Sequence, residues 1–254
     1  MGAGHAHPLY REGDSPVHRL PGEAKIAAAV GFTIVVVATP RHQLWAFGCY
    51  AVLVAAVLAA ARLNPLWLLK RSLIELPFVA LAVLLPFVSP GPRFVWLGMH
   101  LSLDGAYGAW NILAKATLGV WASLILAATT DVSSLLAGLE RLRLPRAAIQ
   151  IATFMTRYIH VLSGEAKRMR IARLSRGDNP HFLWQARAYA SGVAALFLRA
   201  YERGERVYVA MLSRGYNGRM PVGAAFPPAR GADWARAGVL PAAAAAIAAV
   251  AMIA

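Results

Sequence analysis

Residues 44–61 read LWAFGCYAVLVAAVLAAA, eighteen positions without a charge. A helical run of that length and polarity suits the hydrocarbon core of a bilayer, which about 20 apolar residues cross. Four further blocks share the character: 24–39 (AKIAAAVGFTIVVVAT), 72–88 with Glu75 near its start, 110–130 with Lys115 near its start, and the alanine-rich 234–254, which holds only Arg236. The pattern predicts an all-α integral membrane protein with about five transmembrane helices. Composition agrees, since 58% of the chain is hydrophobic, only 15% is charged and the mean hydropathy is +0.51. A soluble domain is nearer a quarter charged. The lone Cys49 falls inside the second block, where no internal disulfide is available and inert packing is expected.

The formal net charge of +14 raises the question of nucleic acid, but the placement of the cations answers to a membrane. Residues 131–230 hold 16 of the 26 Lys and Arg against 6 of the 12 acids, and Arg62, Lys70 and Arg71 crowd one short link. By the positive-inside rule the 62–71 link, the 131–230 segment and the N-terminus face the cytoplasm, and five spans leave the C-terminus outside. The expected organisation is a cytoplasmic N-terminal segment (1–23), a four-span membrane region (24–130), a cytoplasmic helical region (131–230) and a final span (231–254). No basic-aromatic groove pattern accompanies the charge, so no nucleic acid is expected as a partner. Residues 1–23 carry no apolar core ahead of a cleavage site, so no secretory signal is expected there.

The polar segment is patterned as helices. Leu135, Leu136, Leu139 and Leu142 follow the helix-start residues Thr129, Thr130, Asp131 and Ser133, and this short helix stops at Leu144-Pro145. Ile151, Phe154, Met155, Tyr158, Ile159 and Leu162 then fall on one helical stripe suited to helix packing. A third stretch, from about Phe182 to Leu212, carries Val193, Phe197, Tyr201 and Tyr208 on one side and a Glu202–Arg206 pair on the other. Two of these stretches close on the same tripeptide, Ser175-Arg176-Gly177 and Ser213-Arg214-Gly215. Glycine past a helical run is the usual stop, and Asp178-Asn179-Pro180, Asn217-Gly218 and Pro221 oppose continuation. Each arginine then sits on a last turn. There it is either a cap favoured by the macrodipole or a peg offered to a soluble partner. Interfacial helices lying on anionic lipid would account for the stripes and the charge, but not for two matched endings.

The chain lacks the usual signatures of catalysis. No phosphate-binding G-x-x-x-x-G-K-[ST] loop, H-E-x-x-H, G-x-S-x-G or paired-cysteine spacing occurs, and Gly164-Glu165-Ala166-Lys167 is only an echo of the first. The chain is therefore expected to be no enzyme, with no catalytic residue, cofactor or metal site. His5, His7 and His18 could touch a metal, on weak grounds. Of the embedded charges, Glu75 is expected to pair with Arg71 four residues earlier, and Lys115 to reach outward along its stem. A conventional ATP-binding-cassette permease, lining the substrate path itself, should show polar residues at mid-span, and these spans are nearly bare of them.

Together these residues resemble a family. Asp14-Ser15-Pro16-Val17-His18-Arg19-Leu20 with Lys25, Thr129-Thr130 before LLAGLERLRLPR, Thr156-Arg157-Tyr158-Ile159 with Glu165, and above all YERGERVYVAMLSRGYNGRMP are similar to the T component of energy-coupling factor (ECF) transporters, cobalt-type, the CbiQ family. The chain departs from the family at Pro21-Gly22-Glu23, where Asp-Pro-Arg is more usual. The resemblance implies a multi-pass coupling subunit of the bacterial inner membrane, in an importer for cobalt or nickel. It implies two ATPase subunits as partners, each receiving one arginine motif, Ser175-Arg176-Gly177 or Ser213-Arg214-Gly215. It also implies a separate metal-binding membrane subunit, with room for a small accessory membrane protein. The apolar stripe from Ile151 to Leu162 would serve helix contacts within the chain or with that subunit.

Overall fold

The apolar runs become helices in the computed structural model. It describes residues 9–90, 92–96, 99–177, 186–218 and 226–253, and their side chains apart from 93–101 and 186–189. In chain order the helices are α1 (Gly22–Ala38), α2 (Leu44–Ala60), α3 (Pro65–Arg71), a 3₁₀ turn (Ser72–Glu75), α4 (Leu76–Val88), α5 (Leu103–Thr129), α6 (Val132–Arg141), α7 (Arg146–Ser175), α8 (Ala186–Leu212) and α9 (Gly231–Ile253). The helical class expected from the sequence holds. Between α4 and α5 the chain adds one small antiparallel hairpin, β1 (Arg93–Trp96) with β2 (Met99–Ser102), in which Arg93 faces Ser102 and Trp96 faces Met99. Two units divide the chain: residues 1–142 with 225–254, and residues 143–224.

In the first unit, Pro65–Val88, Leu103–Thr129 and Gly231–Ile253 are long and apolar enough to cross a membrane, and Leu44–Ala60 is a shorter apolar helix. Helices α1 and α2 have 17 residues each. At 1.5 Å per residue that is about 25 Å, against a hydrocarbon thickness of about 30 Å. Two boundaries differ from the sequence expectation, and local capping explains both. Helix begins at Pro65 rather than Ser72, because the Asn64 side chain accepts from the Leu66 amide at 2.9 Å and proline occupies the first turn. The next long helix begins at Leu103 rather than Trp110, where Ser102 Oγ accepts from the Gly105 amide at 3.3 Å.

The core of this unit forms between α1, α2, α5 and α9 around Phe32, Phe47 and Tyr50. Tyr50 meets both phenylalanine rings edge-on, with centroids 6.1 and 6.2 Å apart, and its hydroxyl is 2.8 Å from Thr39 Oγ1. A buried phenol is thus satisfied without water. Helix α6 lies against the start of α1 at backbone distance: a Cβ on Gly22 would meet Ser134 O at 2.4 Å, and one on Gly138 would meet Glu23 N at 2.6 Å. In contrast, α4 exposes Leu76, Phe78, Leu81, Val83, Leu84, Phe87 and Val88. Such a continuous apolar face needs lipid or another membrane protein against it.

One embedded charge is placed differently from the sequence expectation, and a second finds a specific acceptor. Glu75 is buried and accepts from Thr117 Oγ1 at 2.7 Å, 42 positions along the chain, while Arg71 lies over the Trp67 ring at 6.0 Å. The 3₁₀ turn rotates Glu75 inward toward α5, where a hydroxyl is the available partner. Lys115 reaches the C-terminal end of α1. Its ammonium donates to the Val37 carbonyl at 2.7 Å, in the last turn of α1, where acceptors are left open by the helix end.

The second unit is an antiparallel pair, α7 against α8. Gln150 near the start of α7 meets the chain after α8: its Nε2 donates to Gly218 O at 3.0 Å, and Tyr216 Oη donates to its Oε1 at 3.4 Å. Farther along, Arg199 of α8 pairs with Glu165 of α7. The packing is shallow. Ile149 is the one fully buried side chain among the described residues of this unit.

Candidate functional site

The two Ser-Arg-Gly endings have the same local geometry. At the end of α7, Ser175 Oγ donates to the Ile171 carbonyl at 3.0 Å, and the Gly177 amide donates to Leu174 O at 3.0 Å from a φ of +77°. At the end of α8, Ser213 Oγ donates to Val209 O at 3.0 Å, and the Gly215 amide donates to Leu212 O at 2.9 Å from a φ of +82°. There the Tyr216 amide also reaches Met211 O at 3.0 Å, completing a Schellman ending. No atom lies within 4 Å of a Cβ placed on either glycine, so the left-handed backbone and not crowding calls for glycine. Each serine bonds back one turn and each glycine reverses the chain, which fixes the arginine between them.

Both arginines are exposed, and among the described residues neither guanidinium makes a hydrogen bond or an ion pair. Because the pair is antiparallel, they stand at its opposite ends, roughly 40 Å apart along the helices. The Asp178-Asn179-Pro180 stop, Phe182, Pro221, His5 and His7 lie outside the described residues.

The apolar stripe divides into two faces. Phe154, Tyr158 and Leu162 are half-buried beside Ala200, Val207 and Met211 in a groove of about 390 Å³, with the Phe154 and Tyr158 rings stacked at 6.3 Å. Ile151, Met155 and Ile159 are more than half exposed, as are Val193, Phe197, Tyr201 and Tyr208 on α8, with Met155 and Tyr208 at the rim of the groove. Glu202 and Arg206 form their pair at 3.9 Å on the solvent side. Glu165 binds Arg168 at 2.6 Å and also the Arg199 guanidinium, and these two donors, Arg168 first, hold its carboxyl below the usual range. The cross-helix half of this tie is invisible to helical spacing, because Arg199 is 34 positions away.

The segment before α1 folds onto the first unit. Ser15 Oγ lies 2.7 Å from His18 Nδ1, and His18 Nε2 lies 3.1 Å from the Arg11 carbonyl, so both ring nitrogens are engaged. Burial lowers the His18 pKa, with the Arg11 contact opposing. Arg19 clamps Asp14 in a bidentate pair at 2.6 and 2.7 Å, which lowers the Asp14 carboxyl. Lys25 Nζ donates to His18 O at 3.1 Å and Thr129 O at 2.7 Å, joining the segment to the end of α5. Glu23, 7% exposed at its side chain, sits 3.7 Å from Arg141 and accepts from the Ala229 amide. Asp131 accepts from the Ser133 amide at 3.2 Å and so starts α6 as its sequence position predicts. Among the described residues no three His, Cys, Asp or Glu side chains gather as metal ligands.

Comparison with known proteins completes the description. The profile of the CbiQ family, described as cobalt transport protein, matches residues 13–222. The cobalt transport protein CbiQ of Rhodobacter capsulatus is 28% identical over 203 residues, covering 80% of this chain and 81% of that one. An energy-coupling factor transporter transmembrane protein EcfT of Thermosediminibacter oceani is 26% identical over 223 residues, covering 82% and 83%. A putative fused cobalt transport protein CbiMQ of Methanocorpusculum labreanum is 28% identical over 216 residues; the match takes 81% of this chain but only 36% of that longer protein.

Proposed function

The chain belongs to the CbiQ family of cobalt transport proteins, and from that premise we propose that it is the transmembrane coupling subunit of an ECF-type importer for cobalt or nickel. It binds two ATPase subunits through Arg176 and Arg214 and passes their motion to a separate metal-binding membrane subunit. One observation carries this reading: two identically built helix ends present exposed arginines at opposite ends of one antiparallel pair. A guanidinium held this way offers a rigid fork of donors to carboxylate or carbonyl oxygens, which a lysine would not reproduce. The distance between the endings suits two separate docking grooves, and the shallow α7–α8 seam lets one end shift against the other. The exposed row Ile151, Met155, Ile159, Val193 and Phe197 would meet the substrate-binding subunit.

In this reading α1 and α2 join the three longer stretches to make five spans. The N-terminus and the 131–230 region then face the cytoplasm of a bacterial inner membrane, and the chain performs no hydrolysis of its own. The test is Arg176→Glu and Arg214→Glu, singly and together, in the chain co-expressed with an ATPase. Each single change is expected to leave membrane insertion intact and to abolish co-purification or metal uptake. Full metal uptake by the double variant would sink the proposal.

A further inference from the structure

A polar crevice of about 280 Å³ opens where α1 begins and α5 gives way to α6, bordered by His18, Lys25, Thr130, Ser134 and Arg141. Beside it runs an almost wholly apolar cleft of about 140 Å³ between α1, α2, α5 and α9, lined by Val17, Ala29, Val57, Leu126 and Leu240. The two share Leu20, Lys25 and Thr129 as a common wall, so they adjoin.

Two buried polar groups in the crevice are incompletely used. Lys25 is 7% exposed and gives two of its three donors to backbone carbonyls. Among the described residues no carboxylate lies within ion-pair distance of it. Thr130 is 4% exposed, and its Oγ1 is buried with no hydrogen-bond partner among the described residues. Of the neighbouring charges, Arg19 holds Asp14, Arg141 faces Glu23 and the Asp131 carboxylate takes the Ser133 amide, while the exposed Arg236 borders the cleft. A buried cation with a spare donor beside an unpartnered hydroxyl calls for an anionic acceptor, since leaving such groups unpaired is costly. The adjoining cleft calls for a hydrocarbon chain. Both lie at the end of a membrane-crossing helix, Leu103–Thr129, which is headgroup depth.

We infer that crevice and cleft form one binding site for an anionic phospholipid, whose phosphate accepts from Lys25 and Thr130 and one of whose acyl chains fills the cleft. Zwitterionic lipid supplies the chain but not the net negative charge. Soluble phosphate supplies the charge but leaves the cleft empty.

The purified full-length chain in detergent, titrated and read by native mass spectrometry, tests this. Dioleoylphosphatidylglycerol is expected to be retained about tenfold more strongly than dioleoylphosphatidylcholine. The phosphate of the latter is equally anionic, but the choline brings a further cation into a crevice lined by Lys25 and Arg141. Thr130→Val, which keeps the shape and removes the hydroxyl, is expected to lower phosphatidylglycerol retention severalfold with the melting temperature of the lipid-free protein unchanged. Ala29→Phe, which fills the cleft, is expected to lower retention of both lipids. Equal retention of the two lipids by the unaltered chain overturns the inference. So does unchanged phosphatidylglycerol retention in Thr130→Val, or full displacement by an equal concentration of inorganic phosphate, which would assign the crevice to a soluble anion. Arg176→Glu with Arg214→Glu is expected to retain the lipid, which separates this site from the proposed ATPase contacts.

Discussion

Arg176 and Arg214 occupy equivalent C-terminal positions on two antiparallel helices, each between a serine bonded back one turn and a glycine with positive φ. Equivalence of local structure and separation in space come from one cause. A repeated tripeptide on antiparallel helices must appear at opposite ends of the pair.

Gly215→Ala should destabilise the end of α8 by about 1–2 kcal/mol, because alanine pays the left-handed penalty that glycine avoids. Gly204 lies mid-helix with no atom within 4 Å of an added Cβ, so Gly204→Ala should stabilise the same helix by about 0.5–1 kcal/mol. Hydrogen exchange of the Ser213–Tyr216 amides should speed up in the first variant and not in the second. Equal exchange in both would show that the ending is held by something other than the glycine.

The Glu165–Arg199 tie should hold the middle of α7 against α8. Glu165→Gln and Arg199→Met are each expected to broaden the distance distribution between spin labels on the two helices, and the double variant to add little to either. Arg168 and Arg199 lower the Glu165 carboxyl from its ordinary value of 4.5, so the folded unit binds fewer protons there than the unfolded chain. The contribution is therefore complete above about pH 4.5 and lost as pH falls through the lowered folded value. Between pH 5 and pH 8 the distance distribution should not change on account of this group.

His18 is expected to make the segment before α1 sensitive to acid. Its pKa lies below the ordinary 6.5, chiefly through burial, so the folded form favours the neutral ring. Stability from this group is present above pH 6.5 and falls as the pH drops through the lowered folded value. Proteolysis between residues 9 and 20 should accelerate there, and His18→Gln should flatten the profile. Asp14 stays ionised over this window, because Arg19 lowers its carboxyl further.

Thr117→Val should cost about 1–3 kcal/mol, since it removes the only hydrogen bond to the buried Glu75 among the described residues. Glu75→Gln keeps an acceptor for the threonine and should cost less. Thermal unfolding in detergent compares the two. An equal loss in both would mean that the charge of Glu75, and not its hydrogen bond, is what the site requires.

Rules of short range carried most of what was legible in the chain. The uncharged run at 44–61, the Asp131 start of α6, the Glu202–Arg206 pair and the two glycine stops all depend on neighbours within a turn or two, and each stands where spacing places it. The rest depended on partners that spacing cannot reach. Glu75 turned to Thr117 rather than Arg71, and Lys115 found its acceptor at the end of α1, 78 positions away. The stripe from Ile151 to Leu162 split into a seam and an exposed row once α8 covered only one side of it. Lys25 met Thr129 across 104 positions, and Glu23 met Arg141 where the sequence had shown only a departure from a familiar motif. The sequence by itself determined a helical membrane protein with two matched arginine endings, because hydrophobic runs and helix stops are local in cause. Tertiary structure decided which charges are buried, what satisfies them and where an unsatisfied pair remains. Burial is a property of the neighbours that packing brings, and packing is not local.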